Sequence, residues 1–132
     1  MRSIVYFSTA RNAMTEEDLA ALGRECAEND SRIGITGMLL HKNGNFLQAI
    51  KGSKGVVGDM YARIVADPRH TNVLVIRDCT IALREFEGQT MGFKNLDGAG
   101  KDTPFLNPFS YEAFAGDPAL AMLMLSYFFR NQ

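Results

Sequence analysis

An α+β sandwich, with one sheet and two helices on one of its faces in the order βαββαββ, is expected from three features of the chain. Short β-branched and aromatic runs alternate with stretches of helical period. Two of those runs, "GITGMLL" and "NFLQAIKG", meet at a tight turn around Asn43-Gly44, which makes them antiparallel neighbours. A length of 132 residues suits one domain that buries roughly two thirds of the surface of its unfolded form, so a core holds without staples.

The first strand is "RSIVYFS", residues 2 to 8. Thr15 ahead of Glu16, Glu17 and Asp18 reads as an N-cap and an acidic first turn at the positive end of a helix dipole. Leu19, Leu22 and Cys26, flanked by alanines, then form one apolar stripe that faces the sheet. Asn43-Gly44 suits a two-residue type I′ turn, because both positions need positive φ. That turn sets a register: Lys42 faces Asn45, Leu40 faces Leu47, Leu39 faces Gln48, and Phe46, Gln48 and Ile50 share one face.

A second helix opens at Gly52-Ser53, repeats its apolar positions through Val56, Val57, Met60, Tyr61, Ile64 and Val65, and stops at Asp67-Pro68. "NVLVIRDCTIA" and "REFEGQTMGF" are two further strands, and "NLDGAGKDTP" is a loop. The last stretch makes two short helices split at Gly116-Asp117-Pro118, whose apolar faces are expected to cover the other side of the sheet.

Composition narrows the partners. With 14 basic and 15 acidic residues the net charge is -1, which offers no footprint for nucleic acid or an anionic membrane. The apolar run "ALAMLML" is far short of the about 20 residues of a membrane span. Cys26 and Cys79 lack C-x-x-C spacing and "MRSIVYFSTARN" lacks a secretory signal, so the expected location is the reducing cytoplasm. Neither these cysteines nor His41 and His70 show zinc-ligand spacing, and no metal is expected.

Tyr6, Gln48, Gln89 and Met91 break the apolar pattern of their strands. Taken singly, a buried Tyr or Gln is a core residue with satisfied polar atoms, and a Met fills a gap. Together they suggest more. A glutamine amide has two donors and one acceptor and costs about 1 to 3 kcal/mol if buried unpaired. With Tyr6 on one side of Gln48, the other side faces the groove between the helices, where a planar polar ligand would complete the set.

"IVYFS", the "ND" pair ahead of "GITGMLL", "NFLQAIKG", "YARIVADPRH" and "GQTMGF", in this order, resemble the BLUF family, the sensors of blue light using FAD. The likeness covers about residues 2 to 95. It implies a ferredoxin-like sandwich with a flavin-binding photosensory unit over 1–95, and a C-terminal loop and helical cap over 96–132. The flavin would be noncovalent FAD, with FMN or riboflavin as alternatives, slotted between the two helices. Tyr6 matches the tyrosine bonded to the switching glutamine, Gln48 that glutamine, and Met91 the last-strand methionine beside it. Leu22 and Ile64 match the aliphatic residues above and below the ring, and Asn29 and Asp30 the polar pair at its pyrimidine edge. Arg63, Asp67, Arg69 and His70 match contacts to the ribityl chain and phosphate, though Arg63 is also spaced to pair with Asp59 on a solvated helix face.

The resemblance implies no enzyme activity. In the family, light moves an electron and then a proton from the tyrosine, and recombination leaves the glutamine amide rotated or tautomerised, with a small reversible red shift. Output would pass to a downstream partner protein or through a homo-oligomer, with the apolar cap around Tyr111, Phe114, Leu120, Met124, Phe128 and Phe129 as the candidate surface and packing on the sheet as its plainer use. Four positions depart from the family pattern. Gln89 replaces a tryptophan, and Asp30 replaces an asparagine and is expected to be protonated, to pair with Arg32, or to yield its place to Asn29. Lys51 replaces a glutamate, read as a surface change, and Cys26 stands for a small hydroxyl residue. The rivals are a light-insensitive ligand-binding or interaction module of the same fold, and an acylphosphatase-like hydrolase, for which "STARNAMT" lacks a glycine-rich phosphate cradle.

Overall fold

The computed structural model describes residues 1–82, 91–97 and 109–131. Five strands, β1 (Arg2–Ala10), β2 (Thr36–Lys42), β3 (Asn45–Gly52), β4 (His70–Thr80) and β5 (Met91–Asn95), form one sheet in the order β4-β1-β3-β2-β5. Neighbours run antiparallel except β2 and β5, which are parallel. Helices α1 (Glu16–Arg32) and α2 (Lys54–Ala66) pack on one face, and α3 (Tyr111–Gly116) and α4 (Pro118–Arg130) on the other. This is the expected sandwich with its helical cap.

Local chemistry explains the elements. Thr15 caps α1 through a reciprocal box: the Asp18 N–H donates to Thr15 Oγ1 at 3.1 Å and the Thr15 N–H to Asp18 Oδ2 at 2.9 Å. Asn43 and Gly44 have φ of 51° and 79°, and the β2–β3 register is the one their turn dictates. At Gly37, on β2, a Cβ would stand 1.9 Å from the Ala49 carbonyl oxygen, so only glycine lets β2 and β3 close. Asp117 caps α4, accepting from the Leu120 N–H at 3.3 Å, with Pro118 at the first helical position.

Strand ends differ from the sequence reading. β1 reaches Ala10, whose N–H donates to the Gly44 carbonyl at 2.7 Å, and β4 begins at His70 rather than Asn72. The β1–β4 register slips twice, between Val5 and Tyr6 and between Phe7 and Thr9, and Asn72 takes a φ of 51°. Between the slips Val75 pairs with Tyr6 and Leu74 with Phe7, on opposite faces, and both are exposed because β4 is an edge strand. Asn95 belongs to β5 rather than to the loop, and the Leu96 N–H donates to the His41 carbonyl. The rest of the expected last strand, Gln89 included, and most of the expected loop fall outside the described residues.

The sheet separates two apolar clusters. Ile4, Leu19, Leu22, Leu39, Phe46 and Ile50 lie under α1 and α2, whereas Val5, Phe7, Met38, Leu47, Phe114 and Phe128 lie under the cap. The cap residues serve packing: Phe114, Met124 and Phe128 are buried and Tyr111, Leu120 and Phe129 are packed against them. Leu123 and Tyr127 are the exposed large apolar residues of α4. Lys51 is not a surface residue. It is fully buried on the cap side, opposite Ser3 and Thr36, because β3 is the central strand and is still flanked by β1 and β2 at this position. Among the described residues no helix is long and apolar enough to cross a membrane.

Candidate functional site

Gln48 lies directly opposite Tyr6 on β1 and Leu39 on β2, in the two central pairings of the sheet. All three point to the α1–α2 side, and both polar residues are buried. The Tyr6 hydroxyl donates to Gln48 Oε1, and Gln48 Nε2 donates to Met91 Sδ at 3.3 Å. Gly37 pairs with Met91, so the parallel β2–β5 contact is what carries the thioether to the amide. A thioether is a weak acceptor and the second N–H of Gln48 has no partner among the described residues, so within them the amide is only partly satisfied.

Above this chain lies a cavity of about 570 Å³ between α1 and α2. Tyr6 and Gln48 form its floor, with Leu22 on the α1 side and Ile64 on the α2 side. Asn29 and Asp30 line it at the end of α1, and Arg63, Asp67, Arg69 and His70 where α2 leads into β4. Ten of the residues singled out from the sequence therefore converge on one cavity, and Met91 touches it through Gln48.

The electrostatics follow from burial. Burial raises the Tyr6 phenol well above its usual pKa, helped by the negative potential of Cys26, Asp30 and Asp67, so it keeps its proton in the resting state. Tyr61 of α2 stacks on it with centroids 6.1 Å apart. Asp30 is buried and its carboxyl pKa is pushed up to about 7 by desolvation. The expected alternative, pairing with Arg32, is not found, because Arg32 donates to Asn29 Oδ1 instead. The Cys26 thiol is raised to about 12, first by burial and then by Asp30 and Glu25.

At the mouth, Arg69 holds the Asp67 carboxyl below its ordinary value by hydrogen bonding. It also reaches Glu25 of α1 at 3.1 Å and so bridges the two walls. Arg63 is exposed and forms no ion pair with Asp59 among the described residues. Burial lowers the pKa of His70, and its Nδ1 lies 3.0 Å from Ser8 Oγ. Sequence reasoning did not name Glu25, Cys26, Arg32, Ile33, Leu39 or Met60 as lining residues. Met60 sits one turn before Ile64, and Glu25 one turn before Asn29, so helical spacing was the available signal.

The cavity suits a flat ligand of flavin size: its volume falls in the range of small-molecule sites and its floor presents an under-satisfied amide. The family model described as "Sensors of blue-light using FAD" matches residues 1–92. The chain belongs to the BLUF family. Among BLUF-containing relatives, the photoactivated adenylate cyclase subunit beta of Euglena gracilis is 35% identical over 89 residues, covering 67% of this chain and 10% of that protein. The subunit alpha-like protein FB of the same organism is 39% identical over 72 residues, covering 54% and 7%. The chain thus spans about a tenth of the length of these curated relatives.

Among solved structures, the dark state of BlrB, a BLUF protein, matches with a TM-score of 0.68 and 29% identity over 95% of this chain and 84% of that one. Klebsiella pneumoniae BlrP1 with FMN and cyclic diGMP matches with a TM-score of 0.66 and 28% identity over 72% and 26%. The chain is therefore a blue-light flavin sensor of the BLUF type.

Proposed function

We propose that the chain senses blue light through one buried amide, Gln48, switched by the phenol of Tyr6, with FAD as the flavin held in the α1–α2 cavity. The observation that carries this reading is the Tyr6–Gln48–Met91 hydrogen-bond chain at the cavity floor. When bound, the flavin supplies the blue absorption and the electron demand of the excited ring. Tyr6 is suited to be the donor: it is protonated, buried and bonded to the amide that must move. Gln48 has two ways to pair its groups. In one, Oε1 accepts from Tyr6 and Nε2 faces Met91; in the other the amide is rearranged, so that a different group meets Tyr6 and the cavity. Light biases which is occupied.

Leu22 and Ile64 would clamp the ring faces, and Asn29 and Asp30 would hold its polar edge. A neutral Asp30 carboxyl can both donate and accept there, which an ionised one cannot. Arg63, Asp67, Arg69 and His70 would hold the ribityl chain and phosphate, the cations by charge-assisted hydrogen bonds. Residues 1–95 would form the photosensory unit and 96–132 its cap. Output would pass to a separate effector or through assembly of copies, as the cyclase names of the Euglena relatives suggest. The test is an absorption spectrum of the purified chain before and after a blue flash. A yellow protein with a small red shift that reverts in the dark is expected; a colourless or light-inert protein overturns the reading.

A further inference from the structure

Resting on the flavin reading above, we propose that Asp30 couples flavin capture to a proton: the chain holds oxidised flavin with a neutral carboxyl at position 30, takes up a proton when it binds the ring above neutral pH, and lets it go in alkali. The position is built for a neutral group. Asp30 lies in the last turn of α1, at the cavity wall and only 3% exposed, and its carboxyl has no hydrogen bond or ion pair among the described residues. Its backbone is pinned, because the Ile33 and Ile35 N–H groups both donate to its carbonyl, at 3.2 and 2.9 Å. A carboxylate there faces the negative end of the α1 dipole without a bonded cation.

The neighbouring charges are engaged elsewhere or fixed. Arg32 donates to Asn29 Oδ1, and Arg69 donates to Asp67 and Glu25. Arg63 lines the α2 wall and, like any arginine, keeps its charge. Cys26, one turn before Asp30, and Tyr6 of β1 are held protonated by burial, Asp67 is held ionised by Arg69, and burial keeps His70 neutral above 6.5. Of the strands beside α1, β2 turns His41 to this face, where Asn95 and the Gly44 N–H hold it, and β5 turns Lys94 to the other. Asp30, pushed up to about 7 by desolvation, changes charge in the neutral range against this background.

That change alters what the site can recognise. A flavin ring offers, at its pyrimidine edge, one N–H donor between two carbonyl acceptors. A carboxylic acid matches this edge twice, its carbonyl accepting from the ring N–H while its O–H donates to a ring carbonyl. A carboxylate keeps the first bond and sets its second oxygen against the ring carbonyl. Asn29 is no substitute acceptor, since its Oδ1 is engaged by Arg32 and its N–H side is what it has left to offer. An ionised chain must first collect a proton, so its apparent affinity falls with the fraction still protonated.

The test is calorimetric titration of the full chain, freed of flavin, with FAD from about pH 6 to about pH 9, in two buffers of different ionisation enthalpy. Affinity is expected to hold level to about 7 and to fall about tenfold per unit above it, with about one proton taken up per FAD on the falling limb. Asp30→Asn presents a donor and an acceptor without a charge, and is expected to bind FAD equally across the range with no proton uptake. Far-ultraviolet circular dichroism of the flavin-free chain is expected to stay level over the same range. A level affinity in the parent, a slope that survives in Asp30→Asn, or a loss of circular dichroism that tracks the loss of binding overturns this proposal and leaves the flavin reading standing. Failure of FAD to bind either chain at every pH overturns both.

Discussion

Each group at the floor of the cavity is poised by its own burial. Tyr6 keeps its proton because the surroundings oppose a phenolate, and Gln48 has, among the described residues, a second N–H to offer beside the one that meets Met91. Replacing Tyr6 by phenylalanine removes the donor to Oε1, at a cost of about 1 to 3 kcal/mol in stability, and is expected to abolish the reversible red shift while the protein stays yellow; flash absorption reads both. Asp30 sets a pH dependence. Its carboxyl titrates near 7 in the fold against an ordinary 3.8, so between those values the folded chain holds a proton that the unfolded chain has released. Stability from this group is therefore complete below 3.8 and is lost as the pH rises to about 7, a drop of up to about 4 kcal/mol. His70 acts in the opposite sense, since burial lowers its pKa below 6.5 and its contribution is lost as the pH falls below that value. Asp30→Asn isolates the first effect: in urea unfolding the variant is expected to exceed the parent at pH 8 and to match it at pH 4.

At the scale of elements, two glycines in helices make opposite predictions. Gly23 of α1 sits beneath Phe93 of β5, and a Cβ there would stand 2.9 Å from the ring. Gly23→Ala is expected to lower stability by about 1 kcal/mol, the overpacking exceeding the gain in helix propensity. Gly55, in the first turn of α2, has open space around it, and Gly55→Ala is expected to add about 0.5 kcal/mol; thermal melts of the pair decide the signs. These contacts also mark what could be read from the sequence. The Thr15 cap, the Asn43-Gly44 register and the Gly116-Pro118 break were legible because each is fixed by residues a few positions apart. The bulges of β4, the burial of Lys51 and the Gly23–Phe93 contact were not, because each depends on a strand brought alongside from far in the chain. The site follows the same division. Tyr6 and Gln48 stood out as polar residues in apolar strands, whereas the Arg69–Glu25 bridge requires knowing that α1 and the α2–β4 turn face each other.

For the molecule as a whole, the sheet is a wall between two apolar layers with different duties. The layer under α1 and α2 carries the cavity, and the layer under α3 and α4 carries none of its lining. Alternation along β1 and β3 enforces this: Tyr6 and Gln48 face the cavity while their neighbours Val5, Phe7, Leu47 and Ala49 face the cap. The cap is thus a support rather than part of the binding site, and the two properties separate. Phe114 is fully buried, with its ring 6.0 Å from that of Phe7 and 5.4 Å from that of Phe109. Phe114→Ala opens a void there and is expected to cost about 3 to 5 kcal/mol, read by urea unfolding. At temperatures where the variant is still folded, its flavin affinity is expected to stay within about twofold of the parent, since no cavity wall has moved. A large loss of flavin affinity in the folded variant would mean that the cap reaches through the sheet to Tyr6 and Gln48, and that the two faces act as one unit.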